Sequence, residues 1–355
     1  MDVRSRSVYH SLQHSGRRDS SLGASPCSPV ESAPGSAKEH GAGGTNALDS
    51  IASSVGKRDH SVNCHLHIGQ KEIDLFRKHG CICLREWLTP EIVHQLRQLS
   101  DEMSARASSI LANCRRAGIS PAARAQTDPR ELIVVPEDAA PDQVCRYEFM
   151  IGSDPRFSEL VASCIQPIVA MLVGEDVVPF KDKTNEKLPG GGAFRPHQDF
   201  AAYRAFPPRY HATAVLSIHP ATVSNGCLQF ATNLEVLVAT RSNAVLDSVG
   251  GKALLHYYEG GANNGDIRAD IAAMLRWEPL PTSPADLVVF DSFVPHRSSA
   301  NRSQGARRAV FVTFTRASEG LFYAKYYADK RINYDHPRFH VSTPTLHKAQ
   351  QAPQL

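Results

Sequence analysis

Residues 286–296 read Asp286-Leu287-Val288-Val289-Phe290-Asp291-Ser292-Phe293-Val294-Pro295-His296, and this stretch decides the fold class. A short β-branched and aromatic run is closed by Ser and Pro, and a histidine follows it. A run of that length and composition predicts a buried strand that ends beside a polar, potentially ligating side chain. Three more segments have the same texture, at 177–180, 212–218 and 308–315. Each is bounded by Gly, Pro, Asn or Ser. Short strands separated by loops predict a sandwich or barrel and not alternating βαβ units.

Upstream of these strands the pattern is helical. Residues 70–79 form a short helix, followed by Gly80 and the strand-like Cys81-Ile82-Cys83-Leu84. Thr89-Pro90-Glu91 is a helix start, with a hydroxyl cap, proline in the first turn and an acid next. Ile92, Val93, Leu96, Leu99 and Met103 then fall on one helical face. Residues 161–172 predict a second helix. The expected architecture is α+β and mainly β: a jelly roll with an N-terminal helical layer. Residues 1–65 are rich in Ser, Gly, Ala and His, and are expected to be a disordered tail. The folded domain is placed at 66–340, with a C-terminal tail at 341–355.

Composition excludes several classes. Thirty-nine basic and 36 acidic residues leave a formal charge of only +3. That gives no field for nucleic acid or an anionic membrane. The eight cysteines include no Cys-x-x-Cys pair, which suits a reducing compartment better than a disulfide scaffold. Cys81 and Cys83 alternate onto one strand face and read as small core residues. No apolar run reaches the ~20 residues of a bilayer span. Arg4, Arg6, Arg17 and Arg18 among serines faintly suggest an organelle transit peptide, but a cytoplasmic protein with a polar tail is the simpler expectation. The expected partner is a small-molecule substrate, with the chain a monomer or homodimer.

His197-Gln198-Asp199 follows a Gly190-Gly191-Gly192 turn. On an extended segment, residues i and i+2 share a face, so an imidazole and a carboxylate would converge. His296 supplies a third donor. Two histidines and one carboxylate are the ligand set of non-haem Fe(II) oxygenases, whose open positions take a co-substrate and O2. With 16 histidines and 36 acids in the chain, a His-x-acid triplet alone says little. Arg307, eleven residues after His296, adds to it. Its planar fork suits the far carboxylate of a dicarboxylate chelating the metal, and Ser298 could hydrogen-bond the same group. Arg308 is the rival at that position.

His197-x-Asp199, Asn225-Gly226-Cys227-Leu228, and His296-Arg297-Ser298 through Asn301 to Arg307 together resemble the phytanoyl-CoA dioxygenase family. The resemblance runs over residues 68–339. It implies a double-stranded β-helix core of the cupin-like kind, and Fe(II), 2-oxoglutarate and O2 as cofactor and co-substrates. It implies His197, Asp199 and His296 as iron ligands, Arg307, Ser298 and Asn185 as 2-oxoglutarate contacts, and Tyr203 as a substrate contact. Within the family, Lys181-Asp182-Lys183, Leu188-Pro189-Gly190-Gly191-Gly192 and Tyr326-Tyr327-Ala328-Asp329-Lys330-Arg331 resemble the aminophosphonate dioxygenase branch. The chain departs from the family after Leu228: Gln229-Phe230-Ala231-Thr232 stands where a Pro-Gly-Ser-His turn is usual.

The activity implied is hydroxylation of an unactivated C–H bond of a small molecule: an aminophosphonate, a secondary metabolite or a lipid-derived acyl compound. A metal- or carboxylate-binding jelly roll without turnover is the alternative. Lys181, Lys183 and Lys187 alternate along one strand face. They are either a solvated edge or a cationic wall for an anionic substrate, with Lys183 the substrate candidate. Tyr257, Tyr258 and Trp277, in the stretch 236–284, are expected to pack and not to form a lid.

Overall fold

The computed structural model describes residues 52–54, 68–138 and 140–341. The expected tails therefore lie almost wholly outside the described residues. The exception is Ala52–Ser54, which forms a strand.

Fourteen strands are described. In chain order they are β1 (Ala52–Ser54), β2 (Cys81–Arg85), β3 (Ile133–Glu137), β4 (Ala140–Glu148), β5 (Val177–Lys187), β6 (Phe194–His197) and β7 (His211–Ser217). Then follow β8 (Leu228–Ala231), β9 (Val245–Val249), β10 (Lys252–Leu255), β11 (Trp277–Leu280), β12 (Leu287–Asp291), β13 (His296–Ser298) and β14 (Arg307–Arg316). The major sheet has the order β1-β2-β12-β7-β14-β5-β4-β3, and the minor sheet β11-β8-β13-β6. β9 and β10 form a separate hairpin. Apart from β1 on β2, every pairing is antiparallel. Two facing sheets of this kind are the expected jelly roll, open and not closed into a barrel.

The central strands of the major sheet are buried on both faces, which is why they read as continuous apolar runs. One face carries Ile82, Leu84, Leu287, Val289, Leu216, Val310, Val312 and Phe314, packed beneath the helices. Burying such side chains stabilises by roughly 1.5–3 kcal/mol each. The other face carries Cys81, Cys83, Val288, Phe290, Val215 and Phe311. It meets Phe230 and Leu280 of the minor sheet. The predicted alternation of Cys81 and Cys83 is thus seen, with both thiols in the core between the sheets.

The helical layer starts as the sequence indicates. Gln70–His79 ends at Gly80 with φ of 69°, where a Cβ would meet Val294 and Asp291. The long helix Pro90–Ala117 is capped by Thr89, whose hydroxyl accepts from the Ile92 amide. Such a cap contributes about 1 kcal/mol. The predicted helix at 161–172 begins as a π turn, Val161–Ile165, before Gln166–Val173. The continuous helix Pro155–Val173 is long and apolar enough to cross a membrane by composition. Its Phe157, Ile165 and Leu172 are packed in the outer core.

The sequence signalled only some strands. β5 runs on to Lys187 and its lysines lie on an interior strand, between β14 and β4. The solvated-edge reading of Lys181, Lys183 and Lys187 is therefore wrong. The stretch 236–284 holds the β9–β10 hairpin and β11; Tyr257 and Trp277 pack as expected, whereas Tyr258 is exposed. The Trp277 indole donates to the Ala272 carbonyl and lies against the Arg297 guanidinium.

Candidate active site

The facing strands bring His197, Asp199 and His296 together. One donor atom from each lies within 4.8 Å of the others. His197 Nε2 is 3.6 Å and His296 Nε2 3.9 Å from the same oxygen, Asp199 Oδ1. All three side chains are buried.

Their convergence differs in detail from the extended-segment expectation. β6 ends at His197, and Asp199 has helical φ and ψ of −57° and −30° at the start of the turn Phe200–Tyr203. Tertiary bonds hold this bend. Gln198, pointing away from the donors, gives its amide to the Ala253 and Phe293 carbonyls and accepts from the Leu255 amide. The Phe200 amide donates to the Ser292 carbonyl, and Phe200 stacks on Phe293 with centroids 4.5 Å apart. So the segment carrying His197 and Asp199 is tied to the segment carrying His296. The register between β6 and β13 is irregular beside Pro196, next to His197.

The imidazoles are prepared for a cation. His197 Nδ1 lies 2.7 Å from the Arg195 carbonyl and His296 Nδ1 3.1 Å from the Val294 carbonyl. In each ring the Nδ1–H donates, so Nε2 keeps its lone pair and faces Asp199. Burial, and then His197, push His296 down to about 3, so it is neutral. Burial works against the Asp199 carboxylate. The adjacent His197 and His296 rings, and then the Lys183 ammonium, hold it well below the usual range. Two imidazoles that present Nε2 and one carboxylate fit a divalent iron.

Phe290 lies 4.7 Å from the His296 ring, and Phe230, its cross-strand partner, 6.1 Å away. The departure from the family pattern after Leu228 thus lies on β8 and places an apolar ring beside His296.

Arg307 points inward, with 2 % of its surface exposed. One guanidinium nitrogen donates to the Gly226 carbonyl, while Nε has no partner. Burial pushes the guanidinium down to about 10. A buried arginine without a carboxylate leaves an uncompensated charge, which fits the end of a dicarboxylate. Arg308 takes the other face and pairs with Asp101 and Glu186 at 2.6 and 2.7 Å. Ser298 sits on β13 and accepts from Lys187 Nζ at 2.7 Å. Asn185 is buried on β5, and its Oδ1 has no partner.

Lys181 and Lys183 also face inward. Lys181 lies over the rings of Tyr203 and Tyr326 at 5.4 and 5.2 Å, and Lys183 over Phe311 at 5.1 Å. Burial, then Lys181, push the Lys183 ammonium down to about 8. Among the described residues neither lysine makes an ion pair.

Three features near the site were not assigned from the sequence: His211, the cluster around Glu148, and the pairing of Lys187 with Arg307. His211, fully buried on β7, has both ring nitrogens unpartnered and lies 4.8 Å from the Tyr203 ring. Its only sequence signal is a histidine opening a strand. Glu148 pairs with Arg146 at 3.0 Å and Lys330 at 2.6 Å in a fully buried cluster. Lys187 adjoins Arg307. The two polar clusters mix strands distant in sequence, so no local pattern marks them.

A jelly roll holding two histidines, one carboxylate and an inward arginine has the donors for a divalent metal and, beside it, a cation for a dicarboxylate. The profile of the phytanoyl-CoA dioxygenase (PhyH) family matches residues 76–309, and the chain belongs to that family. It is 37 % identical over 189 residues to a 2-aminoethylphosphonate dioxygenase of uncultured bacterium HF130_AEPn_1. That match covers 53 % of this chain and 65 % of the relative, so just under two thirds of the relative's length is spanned. It is 29 % identical over 264 residues to a methylphosphonate hydroxylase of Gimesia maris, covering 74 % of this chain and 86 % of the other. The fold is that of EctD from S. alaskensis, solved with 2-oxoglutarate and 5-hydroxyectoine. There the TM-score is 0.51 at 16 % identity, over 77 % of this chain and 83 % of that one.

Proposed function

We propose that the chain is an Fe(II)- and 2-oxoglutarate-dependent dioxygenase that hydroxylates a C–H bond of a small organophosphonate, with an aminophosphonate as the first candidate. The observation that carries this reading is the pair of inward-facing lysines on β5, Lys181 buried and Lys183 half-buried, which make no ion pair among the described residues and whose charges reach Asp199 and Glu148 only at longer range. Buried ammonium groups are costly unless an anion meets them. A phosphonate is a compact dianion with three acceptor oxygens, and the two named phosphonate oxygenases among the relatives point to the same class.

His197, Asp199 and His296 would hold the iron. Bound iron, 2-oxoglutarate and O2 supply the oxidant, with one oxygen atom leaving in succinate, alongside CO2, and the other entering the hydroxyl group. The chain's own part is positioning. The Nδ1–H bonds to Arg195 and Val294 fix both imidazoles. Arg307, Ser298 and Asn185 would orient the dicarboxylate. Lys183 would anchor the phosphonate, and Tyr203 would wall the substrate. Phe230 and Phe290 keep water from the metal face beside His296.

The test is succinate formation with Fe(II) and 2-oxoglutarate, comparing 2-aminoethylphosphonate, methylphosphonate and β-alanine, in which a carboxylate replaces the phosphonate. Stimulation by a phosphonate and not by β-alanine is expected, with a hydroxylated product visible by phosphorus NMR. Lys183→Gln should raise KM for the phosphonate at least tenfold, equivalent to about 1.4 kcal/mol, and leave 2-oxoglutarate affinity unchanged. No stimulation by either phosphonate would remove this substrate class.

A further inference from the structure

Lys187 and Arg307 are directly opposed cross-strand partners on β5 and β14. Both are buried, at 3 % and 2 % exposure, and neither makes an ion pair among the described residues. Like charges directly opposite one another destabilise a sheet, and burial raises that cost. Their heads nevertheless converge. Arg307 donates to the Gly226 carbonyl. Lys187 Nζ lies 3.1 Å from where a Gly226 Cβ would stand. Lys187 donates to Ser298 Oγ and to the Ser299 carbonyl, which occupies two of the three protons that its ammonium form carries. Gly226 is required here: its φ is +76°, and a Cβ would come within 2.2 Å of the Ser299 carbonyl. The Asn225-Gly226-Cys227 turn therefore serves as the floor on which two cations meet.

We propose that Lys187 is a second cation for the co-substrate, closing with Arg307 on the distal carboxylate of 2-oxoglutarate while Ser298 bridges the two. The unpartnered Arg307 Nε and the third Lys187 proton are the donors left for it. This rests on the reading of the chain as a 2-oxoglutarate-dependent enzyme. It deepens that reading by making the site selective for 2-oxo acids that carry a second negative charge.

The test is anaerobic titration of the Fe(II)-loaded protein, following the charge-transfer absorbance and the heat of binding. Two ligands are compared: 2-oxoglutarate, and 2-oxovalerate, which has the same carbon chain without the distal carboxylate. The variant is Lys187→Gln, which keeps a donor toward Ser298 and Ser299 but has no charge. Lys187→Arg is the second variant. Lys187→Gln is expected to weaken 2-oxoglutarate at least tenfold, to leave 2-oxovalerate and Fe(II) affinities within a factor of two, and to be largely rescued by Lys187→Arg. Equal weakening of both acids would assign Lys187 to propping the 298–299 segment and overturn the proposal. So would unchanged 2-oxoglutarate affinity. Should Lys187→Gln fail to fold, Lys187→Arg decides: loss of the wild-type preference for 2-oxoglutarate over 2-oxovalerate in that folded protein would overturn the proposal, and its retention would support it. Failure of the wild-type protein to bind either acid would overturn the enzyme reading itself, a result distinct from the others.

Discussion

His197 and His296 are cross-strand partners on β6 and β13, their ring centroids 4.2 Å apart. Two buried imidazoles this close are stable together when neutral and sharing a cation. His296→Ala is expected to abolish the anaerobic absorbance band formed on adding Fe(II) and 2-oxoglutarate, with circular dichroism unchanged. A band that persists in this variant would strike His296 from the ligand set.

Arg307 and Arg308 are neighbours with opposite duties. Arg307→Met should weaken 2-oxoglutarate binding by about 2–5 kcal/mol, the cost of removing one partner of a buried charge pair. Arg308→Ala loses the pairs with Asp101 and Glu186 and a hydrogen bond to Ser100 Oγ. It should cost roughly 1 kcal/mol of stability and nothing in co-substrate affinity. Titration calorimetry and thermal melts on the two variants check this, and a reversed pattern would exchange the assignments.

Co-substrate binding should take up a proton. Burial, then Arg307, push Lys187 down to about 6, so near pH 7.5 it is mostly neutral before an anion arrives. The groups facing it are Arg307 on β14, Ser298 and Ser299 on β13 and beyond, Cys227 in the turn, and Glu137 on β3. An anion raises the Lys187 pKa, so affinity for 2-oxoglutarate falls as pH rises above about 6. Calorimetry in buffers of different ionisation enthalpy reads the uptake. Zero proton exchange in the wild type would contradict it.

The Glu148 cluster predicts acid lability. Burial disfavours the carboxylate, but Lys330, Arg146 and Lys181 hold its pKa well below the ordinary value. A depressed carboxyl contributes stability that is present above the unfolded-state pKa, about 4.3, and is lost as pH falls below it. Melting temperature should therefore begin to drop at about pH 4 and keep falling as the pH is lowered further toward the folded-state value. In Glu148→Gln the drop should be shallower. That variant should also lose about 3–5 kcal/mol at neutral pH, since its cations stay buried. An unchanged melting curve would mean the cluster is more hydrated than the structure shows.

Much of this molecule was legible before the fold was known. Thr89-Pro90 announced the long helix, and the apolar runs announced β2, β7, β12 and β14, because capping and burial are local or nearly local effects. The triad was legible from His197-x-Asp199, and from His296 with an arginine eleven residues on. The minor sheet was not. β6, β8 and β13 are three or four residues long and carry Arg, Pro, His and Gln, so no hydrophobic period marks them. Pairing alone makes them strands.

The sequence by itself determined the donor set, the mainly β class and the helical cap, since these depend on residue type and short-range order. The tertiary structure decided which arginine enters the core, because Arg307 and Arg308 differ only in the face that β14 turns inward. It also decided between the two readings of Lys181, Lys183 and Lys187, placing them on an interior strand and not a solvated edge, by laying β4 beside β5. Asp199 reaches the histidines through a helical turn held by Gln198 and Phe200, not through strand alternation. Each of these outcomes rests on contacts between residues far apart in the chain, and such contacts leave no periodic trace in the sequence that makes them.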